Sequence, residues 1–263
     1  LVKLLQGGFS TGHGHLREPN DIESYAALAC IAIQSNQNDQ HGGQSVPNFD
    51  YGMAPGVKKA YRRLYVTNLG KMLDFLEDVE DGVERMKALE GKIEHEYGVF
   101  PCMAWDNNYA ELELAELKKI VPEAEAMKMQ DRSRKFADKE IRRKTYQAME
   151  AFIHNLNTMH SRAGAQVPFS SINYGTDTSP EGRLVMESVM LATEAGLGNG
   201  ETPIFPIQIF KVKEGVNYNP EDPNYDLFKL ACKVSAKRLF PNFSFLDAPF
   251  NKQYYIEGKP ETE

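Results

Sequence analysis

After Ser161 the chain alternates between two residue periods, and this alternation restricts the fold more than any other feature. QVPFSSINYG (166–175) is β-branched and aromatic and lacks helical spacing, whereas EGRLVMESVMLATEAGLG (181–198) has it and ends at glycines. TPIFPIQIFKV (202–212) reads as a second strand, Tyr225 to Leu239 as a second helix, and FPNFSFL (240–246) as a third strand. An order of strand, helix, strand, helix, strand favours right-handed crossovers and a parallel sheet, because parallel neighbours need a long return connection.

The preceding residues follow a helical period. Asn20 or Asp21 caps a first helix whose apolar positions are Ile22, Tyr25, Ala26, Ala29, Ile31 and Ile33, with Pro19 just before it and an end near Gln37. Gly42, Gly43 and Pro47 then predict a loop, and Pro55 and Gly56 stand at the entry of a second helical region. There Val79, Val83, Met86, Leu89, Ile93 and Tyr97 form one apolar stripe, with Gly70, Gly82 and Gly91 as points where the helix weakens or breaks. Ala110 to Ile120 reads as a short helix with acids early and lysines late, and a longer helix is expected from about Ser133 to Met159. The expected class is therefore α/β, with a mainly helical part at residues 1–160 and a sheet-forming part at 161–263.

Composition closes off several functions. With 41% hydrophobic and 25% charged residues, a 263-residue chain can bury a sizeable core. No run approaches the roughly 18 to 20 apolar residues of a membrane span, so no membrane partner is expected and the expected compartment is the cytoplasm. A net charge of −7 argues against a nucleic-acid surface, though Lys58, Lys59, Arg62 and Arg63 make a local basic patch suited to phosphate. Cys30, Cys102 and Cys232 are too far apart for a disulfide framework or a zinc site, and their default reading is structural.

Several segments carry chemistry-bearing residues, each with an ordinary alternative. His13 and His15 lie two apart among glycines, which fits either half of a metal site or a glycine-rich turn with hydrogen-bonded imidazoles; no metal is assigned. In the stretch from Gln37 to Gly52, the amides of Gln37, Asn38, Gln40 and Gln44 suit either their own backbone or a nucleotide. On the strand through SSINY, alternation turns Ser171 and Asn173 to one face and Ser170 to the other. Ser171 and Asn173 either line a ligand cavity or bond neighbouring backbone. Thr176 to Ser179 precede a helix whose N-terminus would attract phosphates, unless Ser179 simply caps it ahead of Pro180.

QNDQHGGQSVPNFDYG (37–52), SRAGAQVPFSSINYG (161–175) and FPNFSFLDAPFN (240–251) resemble the catalytic subunit of the anaerobic, class III ribonucleotide reductases. The resemblance implies part of a ten-stranded α/β barrel, as in glycyl-radical enzymes, and a parent that reduces ribonucleoside triphosphates. It implies a glycyl radical, a structural zinc held by four cysteines, formate or a small redox protein as reductant, and a radical-SAM activating enzyme. It also implies a homodimer regulated by ATP and deoxynucleotide effectors. None of the glycyl-radical, finger-loop cysteine or zinc-cysteine motifs is matched here, so no catalytic residue is assigned. The first catalytic cysteine is expected just upstream of Leu1, and the chain reads as an internal fragment, inactive alone. Ser171 and Asn173, on their shared strand face, are candidate substrate-lining residues, and by position in the family Glu18, Gln34, Lys59 and Arg63 are candidate effector contacts. The alternative for these four is solvated helix surface, and for the isolated chain a noncatalytic nucleotide-binding and dimerisation module.

Overall fold

The computed structural model describes residues 2–10, 12, 14–40, 42–76, 80–160, 166–254 and 256. Its elements are α1 (Val2–Gly7), β1 (Phe9–Ser10), β2 (His15–Leu16), α2 (Ile22–Asp39), β3 (Gln44–Val46), α3 (Phe49–Asp74), α4 (Gly82–Tyr97) and α5 (Tyr109–Leu117). These are followed by α6 (Glu123–Thr158), β4 (Ser170–Tyr174), α7 (Pro180–Ala195), β5 (Ile207–Val212), α8 (Tyr225–Arg238), β6 (Asn242–Phe245) and α9 (Pro249–Lys252). β1 and β2 form a small antiparallel pair, and β3-β4-β5-β6 form a parallel sheet in that order. The fold is thus mixed α/β with mostly helical content, and the alternation after residue 161 becomes β4-α7-β5-α8-β6.

Two compact units divide the chain: Leu1–Val57 with Lys144–Glu263, and Lys58–Arg143. In the sheet-bearing unit, one face of the sheet carries Ile172 and Tyr174 of β4, and Gln208, Phe210 and Val212 of β5, all buried. Tyr174 meets Phe210 edge-on at 5.8 Å, and Phe228 of α8 packs on Phe210 and Phe243. The Gln208 amide on that face is satisfied, since it accepts from the Tyr174 hydroxyl at 2.7 Å and donates to Thr193 of α7 at 2.6 Å. α2 begins at Asp21, whose side chain accepts from Glu23 N while Ser24 returns a bond to the Asp21 backbone, a capping box. Lys144 of α6 reaches Glu23 at 3.1 Å and Asp21 at 3.6 Å, so charge ties the same helix start to α6.

The helical unit, residues 58–143, is held by ring packing and ion pairs. Arg62 grips Glu94 through both nitrogens at 2.9 and 2.6 Å and also pairs with Glu90, while its guanidinium lies 5.2 Å from the Phe100 ring. α3 crosses the start of α4 so closely that a Cβ on Gly70 would stand 2.4 Å from the Val83 Cα, and one on Gly82 would stand 2.4 Å from the Gly70 carbonyl.

Three expectations need correction. The stretch from Gln37 to Gly52 is not one loop: α2 continues to Asp39, β3 supplies the sheet's edge strand, and α3 starts at Phe49. Pro55 therefore lies inside α3 rather than at its entry. Tertiary burial overrides the proline signal, because Phe49, Asp50 and Met53 are wholly buried and anchor the first turns. Second, α6 begins at Glu123, well before Ser133, directly after Pro122 and with Glu123 and Glu125 in its first turn. Third, Gly70 marks a close helix crossing rather than a weak point; Val79 lies outside the described residues.

Gly70→Ala tests that crossing. Alanine's helix preference is worth about 1 kcal/mol, but the new methyl would meet backbone that cannot yield, and overpacking typically costs 1–3 kcal/mol. A net loss of about 2 kcal/mol is expected, read as a lower urea midpoint followed by fluorescence of Trp105, the chain's one tryptophan.

Candidate functional site

In open α/β sheets ligands gather at the carboxyl ends of the strands, and here that end is built from residues distant in sequence. The chain leaves β4 through Gly175, Thr176 and Asp177, whose three backbone N–H groups converge as a small anion-binding nest. The nest is filled from within. Oδ2 of Asp50, in the first turn of α3, accepts from Gly175 N at 2.9 Å and from Thr176 N and Asp177 N at 3.2 Å. Asn217 and Asn224 hold the carbonyls of the same turn, both reaching Gly175 and Asn224 also reaching Asp177. Gly175, at φ 140°, lies so close to β5 that a Cβ there would stand 2.4 Å from the Lys211 carbonyl.

Asp177 is itself buried, and burial raises its carboxyl above the ordinary range against the pull of the Ser179 N–H it accepts at 2.9 Å. Ser179 caps α7 by accepting from Gly182 N at 3.1 Å, with Pro180 in the first turn. Of the two sequence readings of Thr176 to Ser179, the structure carries the capping one.

The second part of the site is the sheet face opposite Tyr174 and Phe210. Register places Ser45, Ser171 and Ile207 in one row across the strands, then Asn173, Ile209 and Asn242, then Lys211 and Ser244. Ser171 and Asn173 thus share a face, both half-buried, while Ser170 is buried on the other. The Asn173 Oδ1 atom is buried and has no hydrogen-bond partner, which leaves an acceptor for an O–H or N–H group to fill. Lys211 is 3% exposed, and its ammonium donates to Asn48 Oδ1 at 2.5 Å, just past the end of β3.

The other predicted residues fall elsewhere. Glu18 is exposed ahead of α2; Gln34 lies on α2, half-buried, with its Nε2 buried and lacking a hydrogen bond. Both belong to the sheet-bearing unit. Lys59 and Arg63 belong to the helical unit, on α3, where Arg63 lines a groove of about 320 Å³ with Leu64, Thr67, Asn68, Lys71 and Phe136 of α6. His15 sits exposed on β2, while His13 and His41 lie outside the described residues. Among the described residues no group of three or more His, Cys, Asp or Glu is placed to hold a metal ion, and no helix is long and apolar enough to cross a membrane. Burial pushes the Cys30 thiol up to about 12, which keeps it protonated at neutral pH.

Sequence reasoning missed Asn48, Asp50, Lys211, Asn217 and Asn224. Lys211 left a readable signal as the single charge in IQIFKV, at a position that alternation groups with Ile207 and Ile209. Lys71 left one too, because positions 59, 63, 67 and 71 are four apart and stack along one helix face. Asp50 left none: it reads as an ordinary loop acid.

The family model for the anaerobic ribonucleoside-triphosphate reductase matches residues 1–261. The chain is similar to the anaerobic ribonucleoside-triphosphate reductases of Escherichia coli (strain K12) and Enterobacteria phage T4, at 26% identity over 243 residues in each case. These matches cover 92% of this chain, 26% of the E. coli protein and 31% of the phage protein. The chain thus spans between a quarter and a third of the length of the curated relatives it matches.

Removing the internal acceptor is the direct test of the turn. Asp50→Ala leaves three buried N–H donors unsatisfied and is expected to cost ~3 kcal/mol or more. Asp50→Asn, which keeps one acceptor oxygen, should cost less, with thermal unfolding by circular dichroism as the measurement.

Proposed function

Because the chain belongs to the anaerobic ribonucleoside-triphosphate reductase family, we propose that it is the middle part of such a reductase, an enzyme converting ribonucleoside triphosphates to deoxyribonucleoside triphosphates by glycyl and thiyl radical chemistry. In this reading β3 to β6 are four strands of the ten-stranded barrel. Residues 161–263 supply barrel wall, and residues 1–160 supply helices of the dimer and effector surfaces.

The observation that carries the reading is the partnerless Asn173 Oδ1 on the polar face it shares with Ser171. A ribose hydroxyl is a donor of the kind that acceptor lacks, and Ser171, one row away, can donate or accept. The role of these two residues is to orient the sugar, and of the face to exclude water around it; the radical itself comes from outside this chain. The residues here do not fit the four-cysteine zinc site of the family, since Cys30 and Cys102 are buried separately and Cys232 lies exposed on α8. No step is routed through it. Formate or a small redox protein as reductant and a radical-SAM activating enzyme belong to the same proposal at the level of the complete protein.

A second reading, a nucleotide-effector module, is favoured by the groove on α3. Arg63 and Lys71 supply cations, Thr67 and Asn68 hydrogen-bonding groups and Phe136 a half-exposed ring, which suits a nucleoside triphosphate. Lys59, four residues before Arg63, extends the stripe. Glu18 and Gln34 remain candidate effector contacts on their own unit.

Calorimetric titration of the chain with dATP, dGTP, dTTP and ATP, with light scattering for its oligomeric state, separates the readings. The effector reading expects saturable deoxynucleotide binding by a dimer, weakened about tenfold or more by Arg63→Ala or Lys71→Ala through loss of a charge-assisted bond. Absence of binding by a folded monomer would remove the effector residues. The substrate reading is tested in the complete reductase, where Asn173→Ala should lower kcat/KM by at least about tenfold; an unchanged value would remove it.

A further inference from the structure

Glu113 of α5 is the deepest carboxyl in the helical unit, with 0% of its surface exposed. Three neutral donors from three helices hold it: the Tyr65 hydroxyl of α3 at 2.5 Å, the Tyr109 hydroxyl of α5 at 2.9 Å and Gln130 Nε2 of α6 at 2.8 Å. Trp105 lies edge-on to Tyr65 at 4.9 Å and donates its indole N–H to Tyr61 at 2.7 Å, which closes the cluster with rings. No cation pairs with Glu113 among the described residues.

The charged neighbours on the packed elements leave the carboxyl without a dedicated counter-ion, and Glu90 opposes its ionisation. On α3, Arg62 is engaged by Glu90 and Glu94, and Tyr61 and Tyr65 are phenols held neutral by burial. On α4, Glu90 adds like charge. On α6, Arg134 faces the Trp105 ring at 5.2 Å, and Asp138 faces Tyr61. Burial outweighs the three donors and pushes the Glu113 carboxyl up to about 7.

We propose that Glu113 is a proton-operated brace of the helical unit, tying α3, α5 and α6 when protonated and favouring their local opening when ionised. Opening hydrates the charge that the closed cluster must hold without a counter-ion. A carboxyl raised on folding contributes stability that is complete below the ordinary range, about 4.3 for Glu, and is lost as pH rises through about 7. α3 and α6 also wall the groove of Arg63, Lys71 and Phe136, so the brace sets the firmness of that groove around neutral pH.

The test is urea unfolding of the chain followed through Trp105, from about pH 5 to about pH 8.5. The wild-type midpoint should fall as pH passes neutrality. Glu113→Gln, which resembles the protonated form and cannot ionise, should lose this component, so the two midpoints separate at high pH with the variant higher. Parallel profiles would overturn the proposal. Should Glu113→Gln not fold, carbon-13 NMR of the glutamate carboxyls decides. One carboxyl should titrate near neutrality and move upward in Tyr65→Phe, which removes a donor favouring the charge, and a Glu113 signal in the ordinary range would overturn the brace.

Discussion

A single carboxylate oxygen organises the carboxyl end of the sheet. Asp50 is wholly buried, yet no ammonium or guanidinium is needed to explain its acceptance there, because three backbone N–H groups of residues 175–177 converge on Oδ2. The bond set joins the start of α3 to the exit of β4. Asn48, two residues earlier, receives the Lys211 ammonium from β5, so one short segment reaches both of the sheet's central strands. Asn217 and Asn224 complete the turn from its carbonyl side. The positions of Ser171 and Asn173 on β4 depend on this bracing, since it fixes where their strand ends.

Asp50 and Glu113, both wholly buried, are held by different means. Asp50 sits at a helix start, where the macrodipole favours negative charge and backbone N–H groups are preset by the turn. Glu113 lies within a helix and relies on two phenols and an amide, all of them side chains that must be held in place by packing. At Glu113 burial outweighs these donors and shifts the carboxyl towards the neutral acid.

The strand and helix order after residue 161 was legible, and so was the division of polar residues along β4, because period-two and period-3.6 patterns are local properties of sequence. Ser171 and Asn173 were placed together by alternation alone. What was not legible depends on contacts across the chain. β3 is only three residues long and carries no β-branched run, so its pairing with β4 exists only once both are assembled. Pro55 signalled a helix entry, but burial of Phe49, Asp50 and Met53 carries α3 back past it. Asp50 and Asn217 have no local pattern at all, since their partners lie 125 and 42 residues away at Gly175. Glu113, one of the acids of the short helix expected at Ala110 to Ile120, is buried because Tyr65 and Gln130 close over it.

The sheet-bearing unit is discontinuous: its first segment ends at Val57 and its second resumes at Lys144, with the helical unit between them. On the ribosome, the two segments of that unit therefore emerge at separate times, with the helical unit made between them. β3 and Asp50 leave the exit tunnel without their partners, and Asp177 follows 127 residues later, a delay of roughly 6 to 25 s at ordinary elongation rates. The intervening residues 58–143 form a compact unit whose partners all emerge within that interval. The nascent chain therefore carries the β3 residues unpaired and the Asp50 side chain in water until β4 arrives, when the strands pair and the three N–H groups replace that hydration.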